Sequence, residues 1–472
     1  MIKVLMVTSE ATPFAKTGGL ADVIGSLSPA LRARGEDVAV FLPRYRAISL
    51  HGLTRVYDDL RIWLGPVCYS ASLYQGEDRG VPYYFLDCPP LFDREGLYGD
   101  AVGDYPDNHL RFAAFSRAAL DLVRRLFRPQ VIHCHDWQAA LVPVYIRTLF
   151  AGDPTFFGLK TVFSIHNLGY QGLFDSAILP DIGLEPSLFR PDGLEFFGRV
   201  NLLKGALLYS DAVTTVSRKY AQEIQTPELG FGLEGVLRAR AGALTGILNG
   251  VDYSQWDPRT DPFIASRYSP DNLEGKRECK ADLLDAFSLS RENLDRPLLG
   301  IVSRFVGQKG LDLIEQVASS LLDEDLCLVV LGTGDPRYER FFTDLAAVYP
   351  ERVGVRVAYD NPLAHKIEAG ADIFLMPSRY EPSGLNQMFS LRYGTVPVVR
   401  ATGGLDDTIE AETGFKFDDY SGGALLEAVR AALAAYGDTE TWTAMMLAGM
   451  RKDYSWQASA IEYSALYRRL AA

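Results

Sequence analysis

The chain of 472 residues has only five cysteines, Cys68, Cys88, Cys134, Cys279 and Cys327, and no two form a CxxC pair. An odd, scattered set argues against a disulfide framework or a zinc knuckle and fits a reducing compartment. Long apolar runs are also missing. The opening Met1-Ile2-Lys3-Val4-Leu5-Met6-Val7 is too short for a signal peptide and reads as a first strand. No stretch approaches the length of a transmembrane helix. Positive charge is in deficit, with 47 Lys and Arg against 60 Asp and Glu, net −13. Such a surface repels nucleic acid phosphates and anionic lipid, so neither nucleic acid nor membrane is expected as a partner. There is no low-complexity tract and no short-period repeat. The expectation is a cytoplasmic protein. Hydrophobic residues at 48% and charged residues at 23% are ordinary for a globular chain and exclude collagen-like and disordered readings.

Short β-branched runs alternate with longer amphipathic stretches. In the first half, strands are expected at 2–7, 37–42, 131–134, 161–165 and 212–216. A helix is expected at 20–34, where Leu20, Val23, Ile24, Leu27 and Leu31 recur at helical spacing. The rhythm restarts near residue 298, with strands at 298–303, 326–331, 353–357, 373–376 and 396–399 and helices at 311–322 and 336–348. Strand–helix alternation of this kind predicts α/β architecture with mostly parallel, doubly wound sheets. The stretch 246–270, rich in Gly, Asp, Pro and Tyr, reads as a linker region. The organisation expected is 1–245, 246–455, and a C-terminal helix, 456–472.

Chemistry-bearing residues collect where strands end. After the first strand comes Lys16-Thr17-Gly18-Gly19-Leu20 and then a helix. Adjacent glycines let backbone approach a ligand, and a helix start presents unpaired N–H groups to an anion. The same glycines would also serve merely to shape the turn. The loop is neither a Walker A sequence nor a Gly-x-Gly-x-x-Gly fingerprint, and the second strand ends without an acidic residue, against a dinucleotide site. In the second half, Arg304 ends a strand and Lys309 precedes a helix, a pair able to clamp a diphosphate. Ser378-Arg379-Tyr380-Glu381-Pro382-Ser383-Gly384-Leu385 fills another strand-to-helix loop, and Thr402-Gly403-Gly404-Leu405 repeats the Gly-Gly pattern. His133-Cys134-His135-Asp136-Trp137 resembles metal chemistry at first. However, His133 and His135 share one face of a strand, and no second cluster completes a ligand set. No metal is expected. Asp136 and Trp137 suit a sugar, and His166 suits either acid–base chemistry or a hydrogen bond.

Taken together, these segments resemble the bacterial and plant glycogen/starch synthase family. Further matches are 165–172, Leu248-Asn249-Gly250-Val251-Asp252 and Ser303-Arg304-Phe305 with Gln308-Lys309-Gly310. The resemblance implies two Rossmann-like domains facing across a cleft, the glycosyltransferase B-type fold. It implies a retaining transfer of glucose from ADP-glucose to the non-reducing 4-hydroxyl of an α-1,4-glucan such as glycogen. No cofactor is implied. By the same resemblance, Arg304 and Lys309 hold the diphosphate, Glu381 lies near the transferred glucose and His166 beside it. Lys16, Gly18, Gly19, Asp22, Asn249, Tyr359, Leu385 and Asn386 bind donor, with Tyr359 facing adenine. Glu10, Tyr98, Asp136, Trp137 and Asn167 lie on the acceptor side. Closure of the two domains around the donor is expected.

The chain departs from the family at Ser383, often Cys; at Asn386, often Thr; at Phe389, often Tyr; and at Gly99, where some members have His. Phe389 stands where related glycosyltransferases carry a second Glu, so its role here is apolar or absent. Competing readings are UDP-glucose as donor and a glucan-binding protein with a decayed site. A phosphorylase reading suffers from the chain's length.

Overall fold

The computed structural model describes residues 1–472 and divides them into two units. The first comprises 1–216, 221–250 and 456–472, and the second 217–220 and 251–455.

The first unit is built on a nine-stranded sheet. Its order is Leu244–Gly246, Ala212–Thr215, Lys160–Ile165, Val131–His135, Lys3–Val7, Asp37–Pro43, Val81–Asp87, Val67–Asp78 and Thr54–Leu64. Neighbours run parallel except the last two pairings, which are antiparallel. Strand order reverses between Lys3–Val7 and Val131–His135, because the chain moves to one side through Asp37–Pro43 and later returns to the other. The loops leaving these two strands therefore sit together at the carboxyl edge, where open α/β sheets bind ligands. Lys3–Val7 and Val131–His135 are almost wholly buried, as central parallel strands must be. The helix Gly19–Ala33 turns Leu20, Val23, Ile24, Leu27 and Leu31 inward. The helix Trp456–Ala471 packs against it, and Arg468 and Ser464 both donate to the buried carboxylate of Glu36.

The second unit has a six-stranded parallel sheet in the order Val353–Val357, Cys327–Gly334, Leu298–Phe305, Ile373–Met376, Val396–Arg400, Phe415–Phe417. Read in chain order this is 3-2-1-4-5-6, the doubly wound arrangement with its switch point between the first and fourth strands. Leu298–Phe305 pairs with Ile373–Met376 only at Leu299 and Gly300, so the two strands part before their carboxyl ends.

Three expectations need correction. The strands at one end of the first sheet, Thr54–Leu64, Val67–Asp78 and Val81–Asp87, are missing from the expected set. The boundary lies at 250/251 rather than 245/246, and 217–220 clusters with the second unit. Finally, 251–270 is not a linker. Buried Asp257 pairs with Arg259 and Arg392, buried Asp261 bonds His365 and Tyr393, and the Tyr268 hydroxyl donates to the Tyr393 carbonyl. Polar, turn-rich composition here reflects internal capping of the second unit. All five cysteines are unpaired, and no helix is long and apolar enough to cross a membrane.

Candidate active site

In the second unit the two loops at the switch point are locked together. Gly310 adopts φ 69°, and a Cβ there would lie 1.9 Å from the Pro377 carbonyl oxygen, so only glycine lets the 307–310 turn approach this closely. The Arg379 N–H donates to the Gln308 carbonyl at 2.9 Å, and the Gln308 amide to the Tyr380 carbonyl at 3.2 Å. This docking brings Lys309 Nζ to 2.7 Å from Glu381 Oε2, which also accepts from the Ser378 hydroxyl at 3.0 Å. Glu381 is buried and Lys309 half-buried. Arg304, at the same sheet edge, is exposed, and its guanidinium makes no hydrogen bond or ion pair with its own chain. The arrangement is an oriented ammonium, its counter-carboxylate and an unspent guanidinium.

Leu385 caps the helix Asn386–Arg392. The Asn386 side-chain amide donates to the Val302 carbonyl at 3.0 Å, so one N–H of its NH2 braces a strand. Tyr359 follows Val353–Val357 and is 83% exposed. Phe389 stacks on Trp256 at 4.0 Å, and His365 covers the other indole face at 3.7 Å, so its role is apolar.

In the first unit, Glu10 organises the loop after the first strand. Its carboxylate accepts from the Thr17 N–H (2.5 Å), the Thr17 hydroxyl (2.5 Å), the Gly18 N–H (3.1 Å) and the Tyr98 hydroxyl (2.6 Å). Glu10 and Tyr98, expected on the acceptor side, are thus largely spent on shaping this loop. Burial and the nearby carboxylate push the Tyr98 phenol well above its ordinary pKa. Lys16 Nζ meets Asp22 Oδ1 at 2.7 Å, both half-exposed.

The two Gly-Gly turns have different physical reasons. Gly403 (φ 47°) and Gly404 have the backbone of residues 381–383 where their Cβ atoms would go, and a Cβ on Gly404 would lie 1.9 Å from the Ser383 carbonyl oxygen. Gly18 has an ordinary extended φ of −150°, and a Cβ on Gly18 or Gly19 would meet nothing within 4 Å. The fold does not demand glycine there, whereas a ligand lying against the backbone would. Gly19→Ala should therefore leave the melting temperature unchanged or slightly higher while raising KM for whatever ligand lies there. Gly404→Ala should destabilise by about 1–3 kcal/mol through overpacking. Thermal melts beside initial rates distinguish the two, and equal loss of stability would refute the distinction.

Asp136 follows Val131–His135 with φ 55°, strained for a non-glycine residue. Its carboxylate accepts the His166 N–H at 2.8 Å and also the Asn167 N–H. Burial, with Glu10 nearby, raises its pKa to about 7. The Asn167 oxygen accepts the Gly169 N–H at 2.9 Å, closing a turn. Trp137 packs edge-on against Phe112 and under Gly172, where a Cβ would clash with the indole. The Asn249 Oδ1 is buried without a partner, a polar atom in need of one.

Behind Asp136 lies a polar cluster, of which the sequence weighed His133 and His135 only as a metal site. His133 bonds the Tyr467 hydroxyl and the Ser164 hydroxyl, each at 2.7 Å, and its ring lies 4.1 Å from that of His135. His135 Nδ1 is 3.0 Å from His166 Nε2. Burial depresses all three imidazoles, His133 and His166 to about 3. Same-face spacing of His133 and His135 signalled the first contact, but nothing in the sequence tied Tyr467 to it. No group of three or more His, Cys, Asp or Glu has a metal-holding arrangement.

Two doubly wound units whose switch-point loops carry oriented cations and sugar-sized polar groups define a glycosyltransferase of the B-type fold. Comparison with known proteins makes this specific. Residues 3–239 match the starch synthase catalytic domain and residues 286–444 the group 1 glycosyl transferases. The chain is 54% identical over 469 residues to a glycogen synthase of Koribacter versatilis, covering 98% of this chain and 96% of that one. It is 49% identical over 481 residues to a glycogen synthase of Anaeromyxobacter sp. strain Fw109-5, covering 100% of each. The solved catalytic domain of starch synthase IV from Arabidopsis thaliana, bound to ADP and acarbose, superposes with a TM-score of 0.90 at 35% identity, covering 100% of this chain and 99% of that one. The chain belongs to the glycogen/starch synthase family. Its chemistry is glucosyl transfer in glycogen synthesis.

Proposed function

We propose that the donor is ADP-glucose and that its glucose passes, with retention of the α configuration, to the non-reducing 4-hydroxyl of an α-1,4-glucan. The observation that carries this reading is Lys309, held 2.7 Å from Glu381 at the switch point, beside an Arg304 unspent by its own chain. As the bond between sugar and diphosphate breaks, negative charge grows on the leaving phosphate. Pre-oriented cations stabilise that charge more in the transition state than in the ground state. Lys309 and Arg304 supply the positive charge a divalent ion would otherwise provide, so turnover needs no added metal. Glu381 is committed to Lys309 and Ser378, which suits positioning rather than nucleophilic attack. The acceptor then attacks from the face the diphosphate leaves.

In this reading Tyr359, Leu385 and the Asn386 backbone complete the donor contacts of the second unit. Lys16, Gly18, Gly19, Asp22 and Asn249 supply those of the first. Asp136, Asn167 and His166 meet sugar hydroxyls, with Trp137, Tyr98 and Glu10 supporting the acceptor side. The relative bound to ADP and acarbose, 35% identical, supports an adenine nucleotide and an oligosaccharide as ligands. Free cysteines suit a cytoplasmic setting.

The test is release of nucleoside diphosphate from ADP-glucose or UDP-glucose with glycogen present, with and without EDTA. ADP-glucose is expected to be the faster donor and EDTA to leave the rate unchanged. Preference for UDP-glucose overturns the donor assignment. Loss of rate in EDTA restored by Mn²⁺ overturns the metal-free argument.

A further inference from the structure

His135 is fully buried, and its Nε2 has no hydrogen-bond partner. Its Nδ1 lies 3.0 Å from His166 Nε2, so a single proton sits between the rings. The backbone of His166 is pinned separately, its N–H donating to Asp136 at 2.8 Å. Its own Nδ1 makes no bond within the chain.

Two proton placements are open. If His166 Nε2 carried the proton, His135 Nδ1 would accept it, and His135, neutral in its buried site, would bear an orphaned N–H on Nε2. If His135 Nδ1 carries it, Nε2 is left as a bare lone pair. Orphaned buried N–H groups are the rarer and costlier defect. The second placement therefore wins, and it makes His166 Nε2 an acceptor. A neutral His166 must then hold its proton on Nδ1.

We infer that His135 is a positioning residue that fixes His166 in the Nδ1–H tautomer, so that His166 meets its substrate as a hydrogen-bond donor and not as a base. The functional half of this inference rests on the sugar-side reading of His166 given above. A donor at that position selects a sugar hydroxyl or ring oxygen offering a lone pair.

The tautomer is read directly from ¹⁵N-imidazole NMR of the intact protein, whose six histidines give a short spectrum. Comparison with His166→Asn assigns the His166 signals. His166 in the wild-type protein is expected to show a protonated Nδ1 and a bare Nε2. His135→Asn, whose amide replaces the Nδ1–H donor, should keep that pattern and kcat within a few-fold. His135→Leu should give mixed tautomers and a kcat about tenfold lower, with KM for the nucleotide sugar little changed. A wild-type spectrum with the proton on Nε2, or an unchanged His166 pattern in His135→Leu, would overturn the inference without needing any variant to be active. If His166→Ala turned over normally, the sugar-side reading would fail, and with it the functional half, while the tautomer would still be decided by the spectrum.

Discussion

Replacing Lys309 by alanine is expected to lower kcat by about 100- to 1000-fold, the range seen when one oriented donor is removed from a developing anion. Two losses combine. The leaving phosphate forfeits a cation, and Glu381 is left buried with only the Ser378 hydroxyl to satisfy it. The second loss makes a companion variant informative. Glu381→Gln removes the carboxylate that aims Nζ, so it too should lower kcat, by less than Lys309→Ala. Because the two side chains act as one unit, the double variant should be little worse than Lys309→Ala alone. Measured as nucleoside diphosphate release at saturating donor, strictly multiplicative effects would show that Lys309 and Glu381 work independently, against their 2.7 Å contact.

The second large effect concerns acid. The folded state keeps His133, His135 and His166 neutral by burial, whereas the unfolded chain protonates histidine near pH 6.5. Below pH 6.5 the unfolded state binds more protons, so the stability these groups contribute is present above 6.5 and drains away as pH falls toward 3. Asp136 acts in the opposite sense. Its carboxyl, raised to about 7, binds a proton in the folded state that the unfolded chain releases above pH 3.8, so it favours folding as pH drops below 7. Buried Glu368, raised to about 8, acts in the same sense as Asp136, and three imidazoles outweigh these two carboxyls by about one proton. Each proton contributes up to about 1.4 kcal/mol per pH unit, so denaturant midpoints should fall between pH 6.5 and 4.5. His133→Gln, whose amide can still reach Ser164, should flatten that slope by roughly one proton. An unchanged slope would remove His133 from the account.

Much of this is legible in the sequence. Parallel strands buried on both faces are mostly apolar runs, so 2–7, 131–134, 298–303 and 373–376 stand out, and the loops after them carry Lys16, Asp136, Arg304 and Glu381. The outermost strands Thr54–Leu64 and Val67–Asp78, an edge strand and its neighbour, escaped because they face solvent on one side and include Asp58, Asp59, Arg61, Glu77 and Asp78, which carry no continuous apolar signal. The segment after 250 was misread for the opposite reason. Its aspartates are buried, and their partners, Arg392, His365 and Tyr393, lie over a hundred residues away. The Lys309–Glu381 pair spans 72 residues and depends on a glycine at 310 that lets two turns touch, a coincidence that local pattern cannot register.

The helix Trp456–Ala471 belongs to the first unit, where Tyr467 reaches His133 and Arg468 reaches Glu36. A ribosome synthesises everything between residues 251 and 455 before that helix emerges. Until then the nascent first unit waits with His133 and the Glu36 carboxylate lacking their C-terminal partners, while the second unit is already entire and free to fold.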